Sequence, residues 1–129
     1  MDPERVWRVA LLAALLVASP VRADERVPSV RLLVQSSPLA GFRYHAAAEV
    51  WDRLRVGDAL ELRREPDNPH DPGAVSIAWR GRKLGYVPRR ENAALAWGLD
   101  RGEPLRARIS RLAPHPNPAR RVEFEVYFE

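Results

Sequence analysis

Two pairs of basic and aromatic residues carry the clearest chemical signal in this sequence. Arg43 adjoins Tyr44, and Tyr86 precedes Arg89 by three residues. An arginine can bind a phosphate through two parallel hydrogen bonds, and a tyrosine ring offers a flat face on which a nucleobase can stack. A protein that binds single-stranded nucleic acid needs both kinds of contact. The same residues have an ordinary structural interpretation as core tyrosines with wetted hydroxyls and as solvated surface arginines.

A polar, proline-rich loop lies between these pairs, at residues 64–72 (Arg-Glu-Pro-Asp-Asn-Pro-His-Asp-Pro). Its prolines preset the backbone angle φ, and Asn68 and Asp71 can bond their own backbone. Rigid loops at the edge of a sheet often present binding groups. His70 and Asp71 are therefore candidate binding residues, although Asp71 could equally close an Asx turn.

Few combinations of residues predict catalysis. The chain contains no cysteine, which excludes disulfides, cysteine-based zinc sites and a thiol nucleophile. Its three histidines, His45, His70 and His115, form no H-x-x-x-H pair, and no glycine-rich loop could cradle a phosphate. We therefore expect no enzyme, no metal site and no cofactor. A hydrolase in which His45, His70 and Asp71 converge on a metal is the weakest of three hypotheses.

The apolar pattern predicts six strands. In the first, Val30, Leu32 and Val34 form one buried face before a turn at residues 36–41. Later strands are predicted by the same alternation of apolar and polar residues. They lie around Leu60 and Leu62, at 75–79, at 84–87, at 105–109 and at 122–128.

Two segments have helical spacing instead. Ala47, Val50, Trp51 and Leu54 form one apolar stripe that predicts a helix ending at Gly57, with Trp51 in the core. A second helix is predicted to begin after Pro88 and to run to Gly102. Trp97 lies off the apolar stripe of that helix.

Six strands and two short helices in roughly 100 residues predict a mostly β fold, with a single domain large enough to bury a core. We expect a small OB-like or SH3-like barrel, closed or partly closed, with the helices covering its ends.

The N-terminal residues predict export. Arg5 and Arg8 precede a ten-residue apolar run, which is followed by Pro20 and the small-residue pattern Val21-Arg22-Ala23. These features are typical of a secretory signal peptide over residues 1–23, with the domain at 24–129. The run is too short to cross a hydrocarbon core of about 30 Å as a helix, so we expect no stable membrane span. The chain would then be periplasmic or secreted. A buried N-terminal helix is the alternative.

Three motifs together resemble the HIRAN domain, a small module attached to fork-remodelling helicases and also found alone in bacteria. They are Gly41-Phe42-Arg43-Tyr44, residues 65–71 with Ala74-Val75, and Leu84-Gly85-Tyr86-Val87-Pro88. The resemblance extends over about residues 32–128. It implies an OB-like barrel that binds single-stranded DNA and captures its free 3′ end.

The resemblance also implies individual roles. Arg43 and Arg89 would hold backbone phosphates, Tyr44 would stack on a terminal base, and Asp71 would accept a hydrogen bond from the 3′-hydroxyl. His70 stands where the helicase-linked members have a stacking tyrosine, and Tyr86 where they have a histidine.

The sequence thus favours a monomeric, non-enzymatic module that binds single-stranded nucleic acid. A second hypothesis is an exported envelope domain whose groove holds a peptide or a glycan. An exposed Trp97 and a groove lined with glutamate as well as arginine would favour this second hypothesis. The formal net charge of +4 is only mildly basic and does not by itself require a nucleic-acid partner.

Overall fold

The computed structural model describes residues 31–129, so the predicted signal peptide lies outside the described residues. The strands are β1 (Leu32–Pro38), β2 (Ala59–Arg64), β3 (Val75–Trp79), β4 (Arg82–Tyr86), β5 (Leu105–Leu112) and β6 (Val122–Phe128). The α-helices are α1 (Ala47–Val50) and α2 (Ala93–Asp100). Short 3-10 helices lie at Phe42–Tyr44, Trp51–Arg53, Arg89–Glu91 and Pro118–Arg120. Within residues 31–129, the helices are all too short or too polar to span a bilayer.

The six strands form one antiparallel sheet in the order β1-β6-β5-β2-β3-β4. The sheet is not closed, because the outer strands β1 and β4 do not pair along their lengths. The two edges are joined at a single isolated bridge between Ala40 and Tyr86, in which each backbone N–H donates to the other residue's carbonyl at 2.9 Å. The prediction of a mostly β, OB-like fold is therefore confirmed in its partly closed form.

Gly85 allows that bridge to form. A Cβ atom at this position would overlap the backbone carbonyl oxygen of Ala40, which cannot move without breaking its bond to Tyr86. A glycine in a strand interior often marks such a close approach of two backbones. The glycine of the motif Leu84-Gly85-Tyr86 is thus explained by the close contact of β4 with Ala40 at the bridge.

The core lies between the sheet and the short helices. Every residue of β3 is buried, including Ser76 and Ala78, so the strand is covered on both faces. Val50 from α1 and Leu95 from α2 belong to the same apolar cluster as the sheet residues. Burying each such side chain contributes about 1.5–3 kcal/mol to the free energy of folding.

The prediction of one buried face on β1 is wrong. Leu32 and Leu33 are 63% and 62% exposed, Val34 is also exposed, and Val30 lies outside the described residues. The strand pairs only with β6, and a register shift between Leu33 and Gln35 breaks its alternation. The strand also continues through Pro38, where a turn is predicted.

Both predicted helices form, but they are shorter than predicted. The α1 turn gives way at Trp51 to a 3-10 turn, and the extended backbone of Leu54 ends it before Gly57. Val50 and Leu54 are buried, while Trp51 is only partly buried against the core. A 3-10 turn follows Pro88, so α2 begins at Ala93 and ends at Asp100.

Candidate nucleic-acid interface

A pocket of about 600 Å³, here called the end pocket, lies beside the bridge that joins the two sheet edges. Its walls come from the 3-10 turn after β1, the proline-rich loop and the end of β4. It is lined by Ala40, Tyr44, His45, Asn68, His70, Asp71, Ala74, Tyr86, Val87 and Arg89. Five of the six residues selected from the sequence, all but Arg43, therefore border one cavity.

Tyr44 is placed at the mouth of this pocket by the residues before it. Gly41 has a φ of +79°, a left-handed conformation that favours glycine, and it turns the chain into the 3-10 helix at Phe42–Tyr44. Phe42 anchors that helix in the core and meets Trp51 edge to face at 5.9 Å between ring centroids. The ring of Tyr44 is left 81% exposed, in a position to stack on a flat ligand.

Asn68 organises the proline-rich loop. Its Oδ1 accepts hydrogen bonds from the backbone N–H groups of His70 at 2.9 Å and Asp71 at 3.2 Å. The loop is thereby fixed by its own side chains, as its composition predicts. The imidazole of His70 is exposed, and it makes no hydrogen bond to another residue of the described domain.

Asp71 has both a structural and a potential binding function. Its Oδ1 accepts the backbone N–H of Gly73 at 2.9 Å, which is the Asx turn considered from the sequence. Its Oδ2 accepts the side-chain amide of Asn92, a buried residue, at 2.7 Å. The carboxylate is thus held in one orientation at the edge of the end pocket.

The charge of Asp71 is stabilised by its surroundings. The hydrogen bond from Asn92, followed by that from Gly73, lowers the pKa of Asp71 below its ordinary value. The nearby guanidinium groups of Arg89 and Arg64 act in the same direction. The carboxylate therefore remains ionised throughout the neutral range, where it can accept a hydrogen bond from a hydroxyl and repel a phosphate.

Tyr86 forms a wall of the end pocket, and its hydroxyl is already bonded. It donates to Oε1 of Glu65 at 2.9 Å and accepts from Nζ of Lys83 at 3.0 Å. Glu65 and Lys83 also form a salt bridge of 2.7 Å. The ring of Tyr86 meets that of His45 edge to face at 5.4 Å. Tyr86 can therefore offer a ligand its ring but not a free hydroxyl.

The groups behind Tyr86 are strongly coupled. Burial alone would raise the pKa of Glu65, but its hydrogen bonds from Lys83, Tyr86 and Asn68 outweigh this and lower the pKa to about 2. The hydrogen bonds to Glu65 and Tyr86 raise the pKa of Lys83. Burial and the charge of Lys83 lower the pKa of His45, against the opposite effect of Glu65. His45 is thus neutral at neutral pH, and Arg89 supplies the positive charge that lines the pocket.

Arg43 lies in an adjoining groove rather than in the end pocket. That groove has a volume of about 320 Å³ and also contains Tyr44, Asn117 and Pro118. Tyr44 lines both cavities, whereas Arg43 lines only the groove.

The arginines near these cavities differ from those on the remote part of the sheet. Arg106, Arg108 and Arg111 of β5 all form salt bridges with glutamates of the C-terminal segment. Arg43, Arg89 and Arg90 are exposed, and none of them forms a salt bridge with a residue in the range 31–129. Three arginines without a salt-bridge partner in this range thus lie at the end pocket or in the grooves beside it.

The residues of the hydrolase hypothesis, His45, His70 and Asp71, also border the end pocket. Within residues 31–129, however, no three histidine or acidic side chains are grouped closely enough to hold a metal ion. His115 lies at a separate cavity beside Phe42 and Trp51.

Several supporting residues were not selected from the sequence. Asn68 lies inside the proline-rich motif, so turn chemistry could have identified it. Lys83 is the chain's only lysine, and Glu65 belongs to the same motif as Asn68. Their positions in the sequence do not reveal that both side chains bond the hydroxyl of Tyr86. Asn92 is distant in the sequence from Asp71, and no local signal links them.

The comparisons with known proteins agree with this geometry. The family model described as HIRAN domain matches residues 32–129, which is most of the chain and all but the first of the described residues. The chain belongs to the HIRAN domain family. The resemblance drawn from the three motifs is thereby confirmed.

Two curated relatives match parts of this HIRAN domain. The helicase-like transcription factor of Oryctolagus cuniculus is 29% identical over 79 residues, and a Fanconi-associated nuclease 1 homolog of Oryza sativa subsp. japonica is 34% identical over 73 residues. These alignments cover 60% and 54% of this chain but only 7% of each relative. The chain thus corresponds to a small part of two much longer proteins.

Two solved structures share the fold. A protein from Lactobacillus plantarum is 27% identical, with a TM-score of 0.66 over 76% of this chain and 94% of its own. The HIRAN domain of human HLTF is 20% identical, with a TM-score of 0.59 over 76% of this chain and 78% of its own. The second likeness shows the fold alone.

Proposed function

We propose that this HIRAN domain is a non-enzymatic module that binds single-stranded DNA and receives a free 3′-hydroxyl end in the end pocket. Membership of the family supports nucleic-acid binding. The observation that carries the proposal is the convergence of the exposed Tyr44, the ionised Asp71 and the unpaired Arg89 on one cavity.

Each of these groups has a part in the proposed complex. The terminal base stacks on Tyr44, and the phosphate that precedes it binds Arg89. The terminal 3′-hydroxyl donates to Asp71, whose lone pairs are only partly used by Gly73 and Asn92. His70 contacts the end from the loop, and the ring of Tyr86 closes the opposite wall. A 3′-phosphate would place its negative charge next to the carboxylate of Asp71, and the repulsion would weaken binding.

The decisive experiment compares oligonucleotides of one length and sequence that end in a 3′-hydroxyl or a 3′-phosphate, by fluorescence anisotropy at low salt. An oligonucleotide with a 5′-phosphate controls for the added charge. We expect tighter binding of the 3′-hydroxyl form. Equal affinities would remove end capture, and no binding below roughly 100 µM would remove the nucleic-acid proposal.

The Asp71→Asn variant links the preference to one carboxylate. Asparagine keeps the acceptor oxygen for Gly73 but removes the negative charge, so the 3′-phosphate form should gain affinity relative to the hydroxyl form. Asp67→Asn is the matched control, because Asp67 is an exposed aspartate of the same loop that does not line the end pocket. If Asp71→Asn discriminates between the two ends as strongly as the wild type and Asp67→Asn do, Asp71 is not the group that recognises the 3′ end.

A peptide or glycan partner is the second candidate, and Trp97 is the observation in its favour. Its indole is 62% exposed on α2, with the guanidinium of Arg101 at 3.7 Å from the ring centroid. The end pocket, however, is lined by no glutamate. Because Trp97 does not line the end pocket, its substitution should leave oligonucleotide binding unchanged.

Export is a separate part of the proposal and rests on residues 1–23 alone. Fractionation of cells that express the tagged full chain tests it directly. Recovery of an uncleaved protein from the cytoplasm would contradict export without affecting the binding proposal.

A further inference from the structure

A second groove, here called the arginine groove, lies beside the end pocket. Its volume is about 710 Å³, and it shares Ala40 and Arg89 with the end pocket. Its remaining walls include Leu39, Pro88 and Arg90. The two cavities are therefore neighbours, with Ala40 and Arg89 in the walls of both.

The arginine groove is positively charged. Arg89 and Arg90 follow each other in the 3-10 turn at Arg89–Glu91, and both are exposed. Among residues 31–129, no acidic side chain lines the groove. Neither arginine forms a salt bridge within residues 31–129, in contrast to the paired arginines of β5.

The floor of the groove is apolar. Leu39 is buried beneath it, and Pro38 and Pro88 flank it as half-buried rings. This apolar floor could contact the flat bases of a single strand, while the guanidinium groups of Arg89 and Arg90 contact its phosphates. The charge favours a polyanion over a neutral peptide or glycan, and the shared wall with the end pocket favours the same strand.

We propose that the arginine groove binds the nucleotides that precede the terminal one, and that Arg90 contacts one of their phosphates. This inference rests on the proposed function and extends it to a second subsite. The domain would then recognise an end together with the adjoining single strand. Affinity should rise with strand length until both cavities are filled.

The test compares a thymidine dinucleotide with a thymidine octamer, both with a 3′-hydroxyl, in the wild type and in Arg90→Gln. Each ligand has one 3′ end, so the octamer gains no statistical advantage. We expect the wild type to bind the octamer more tightly. Arg90→Gln should weaken octamer binding roughly threefold to tenfold, the loss expected for one ordinary hydrogen bond at an exposed site, and should leave dinucleotide binding unchanged.

Arg106→Gln is the matched control. It removes the same charge from the sheet, but Arg106 is paired with Glu129 and lines neither cavity. We expect its effects on both ligands to be small and equal. Loss of one phosphate contact in Arg90→Gln should also reduce the slope of log K against log salt for the octamer by roughly 0.7, which the control should not do.

The possible failures can be told apart. If the wild type binds neither ligand, the proposed function fails and this inference with it. If end capture is present but Arg90→Gln changes both ligands equally or neither, only the second subsite is wrong. If Arg43→Gln removes the advantage of the octamer and Arg90→Gln does not, the strand leaves on the opposite side of Tyr44, and the arginine groove is not its path.

Discussion

The carboxylate of Asp71 holds the proline-rich loop and, in the proposed complex, would also bind the ligand. Its oxygens hold Gly73 and Asn92, and the same hydrogen bonds keep it ionised at the end pocket. The structural and functional interpretations of this residue are therefore compatible. A change to alanine would remove both functions at once, and for this reason an asparagine variant is the better probe.

Tyr44 permits a cleaner separation of binding from stability. Its ring is 81% exposed, so Tyr44→Ala should change the melting temperature by only a few degrees. Loss of a stacked base should weaken DNA binding by about 1–3 kcal/mol. Anisotropy titration and thermal unfolding of the same preparation check both statements.

Trp97→Ala is the matched control for Tyr44→Ala, because it removes another exposed aromatic ring from a different element. We expect it to leave DNA affinity unchanged. Tyr44→Phe, which keeps the ring, should bind almost as the wild type does. An affinity of Tyr44→Ala equal to that of the wild type would show that no base stacks at this position.

The hairpin of β3 and β4 is tied to the proline-rich loop through the salt bridge of Glu65 and Lys83, and this contact should respond to pH. The pKa of Glu65 is about 2 in the folded chain against an ordinary value of 4.5. The unfolded chain takes up its proton first as the pH falls. The stabilisation is therefore complete above the ordinary pKa and is lost progressively as the pH decreases towards about 2.

The Glu65→Gln variant should accordingly lose roughly 1–2 kcal/mol of stability at pH 7, a figure reduced for the partial exposure of the pair. The difference from the wild type should shrink as the pH is lowered to 3. Denaturant unfolding at both pH values measures it. A difference that stays constant with pH would show that the carboxylate does not act through its charge.

The join between the sheet edges depends on Gly85 in β4. In Gly85→Ala the new Cβ atom overlaps the carbonyl of Ala40, so the bridge must open or β4 must shift. We expect a loss of more than about 2 kcal/mol in the free energy of unfolding. Gly57→Ala, where φ is +92° but no atom lies within 4 Å, should cost only about 1 kcal/mol. Equal losses would mean that the close approach is unimportant.

The accuracy of the sequence predictions follows the physics of each element. The alternation of Val75, Ile77 and Trp79 predicts strand β3 correctly, but it does not predict that Ser76 and Ala78 on the other face are buried too. The prediction for β1 is wrong because this strand lies at the edge of the sheet and contains a bulge, which leaves Leu32 and Leu33 exposed. The local alternation of apolar residues does not show that a strand will lie at an edge. The second helix starts late because Pro88 is followed by a 3-10 turn before Ala93.

The candidate site is predicted in part for a similar reason. Motif resemblance selects Tyr44, Asp71 and Arg89, which the fold does bring together. It does not show that Arg43 lies in a separate groove, because neighbouring residues of a 3-10 turn project in different directions and only Tyr44 lines both cavities. The bonds from Asn92 to Asp71 and from Lys83 to Tyr86 join separate segments and emerge only from the tertiary structure.

Within residues 31–129, the three arginines of β5 form salt bridges, whereas Arg43, Arg89 and Arg90, which line the end pocket or a groove beside it, form none. This asymmetry predicts a salt dependence for DNA binding despite the modest net charge of +4. Two phosphate contacts, from Arg89 and Arg90, correspond to a slope of log K against log salt of about −1.4 on a single strand. Titration of an octamer between low and physiological salt measures it, and a slope near zero would favour the peptide or glycan partner.

The single Ala40–Tyr86 bridge also has a consequence for dynamics. Both of its residues line the end pocket, so an occupant would touch the two margins of the open sheet at once. Hydrogen exchange at these two amides should then slow when an oligonucleotide is added, while the amides of β3, already at the centre of the fold, should change little. A ligand in the end pocket would thus stabilise the one backbone bridge that joins the two edges of the described sheet.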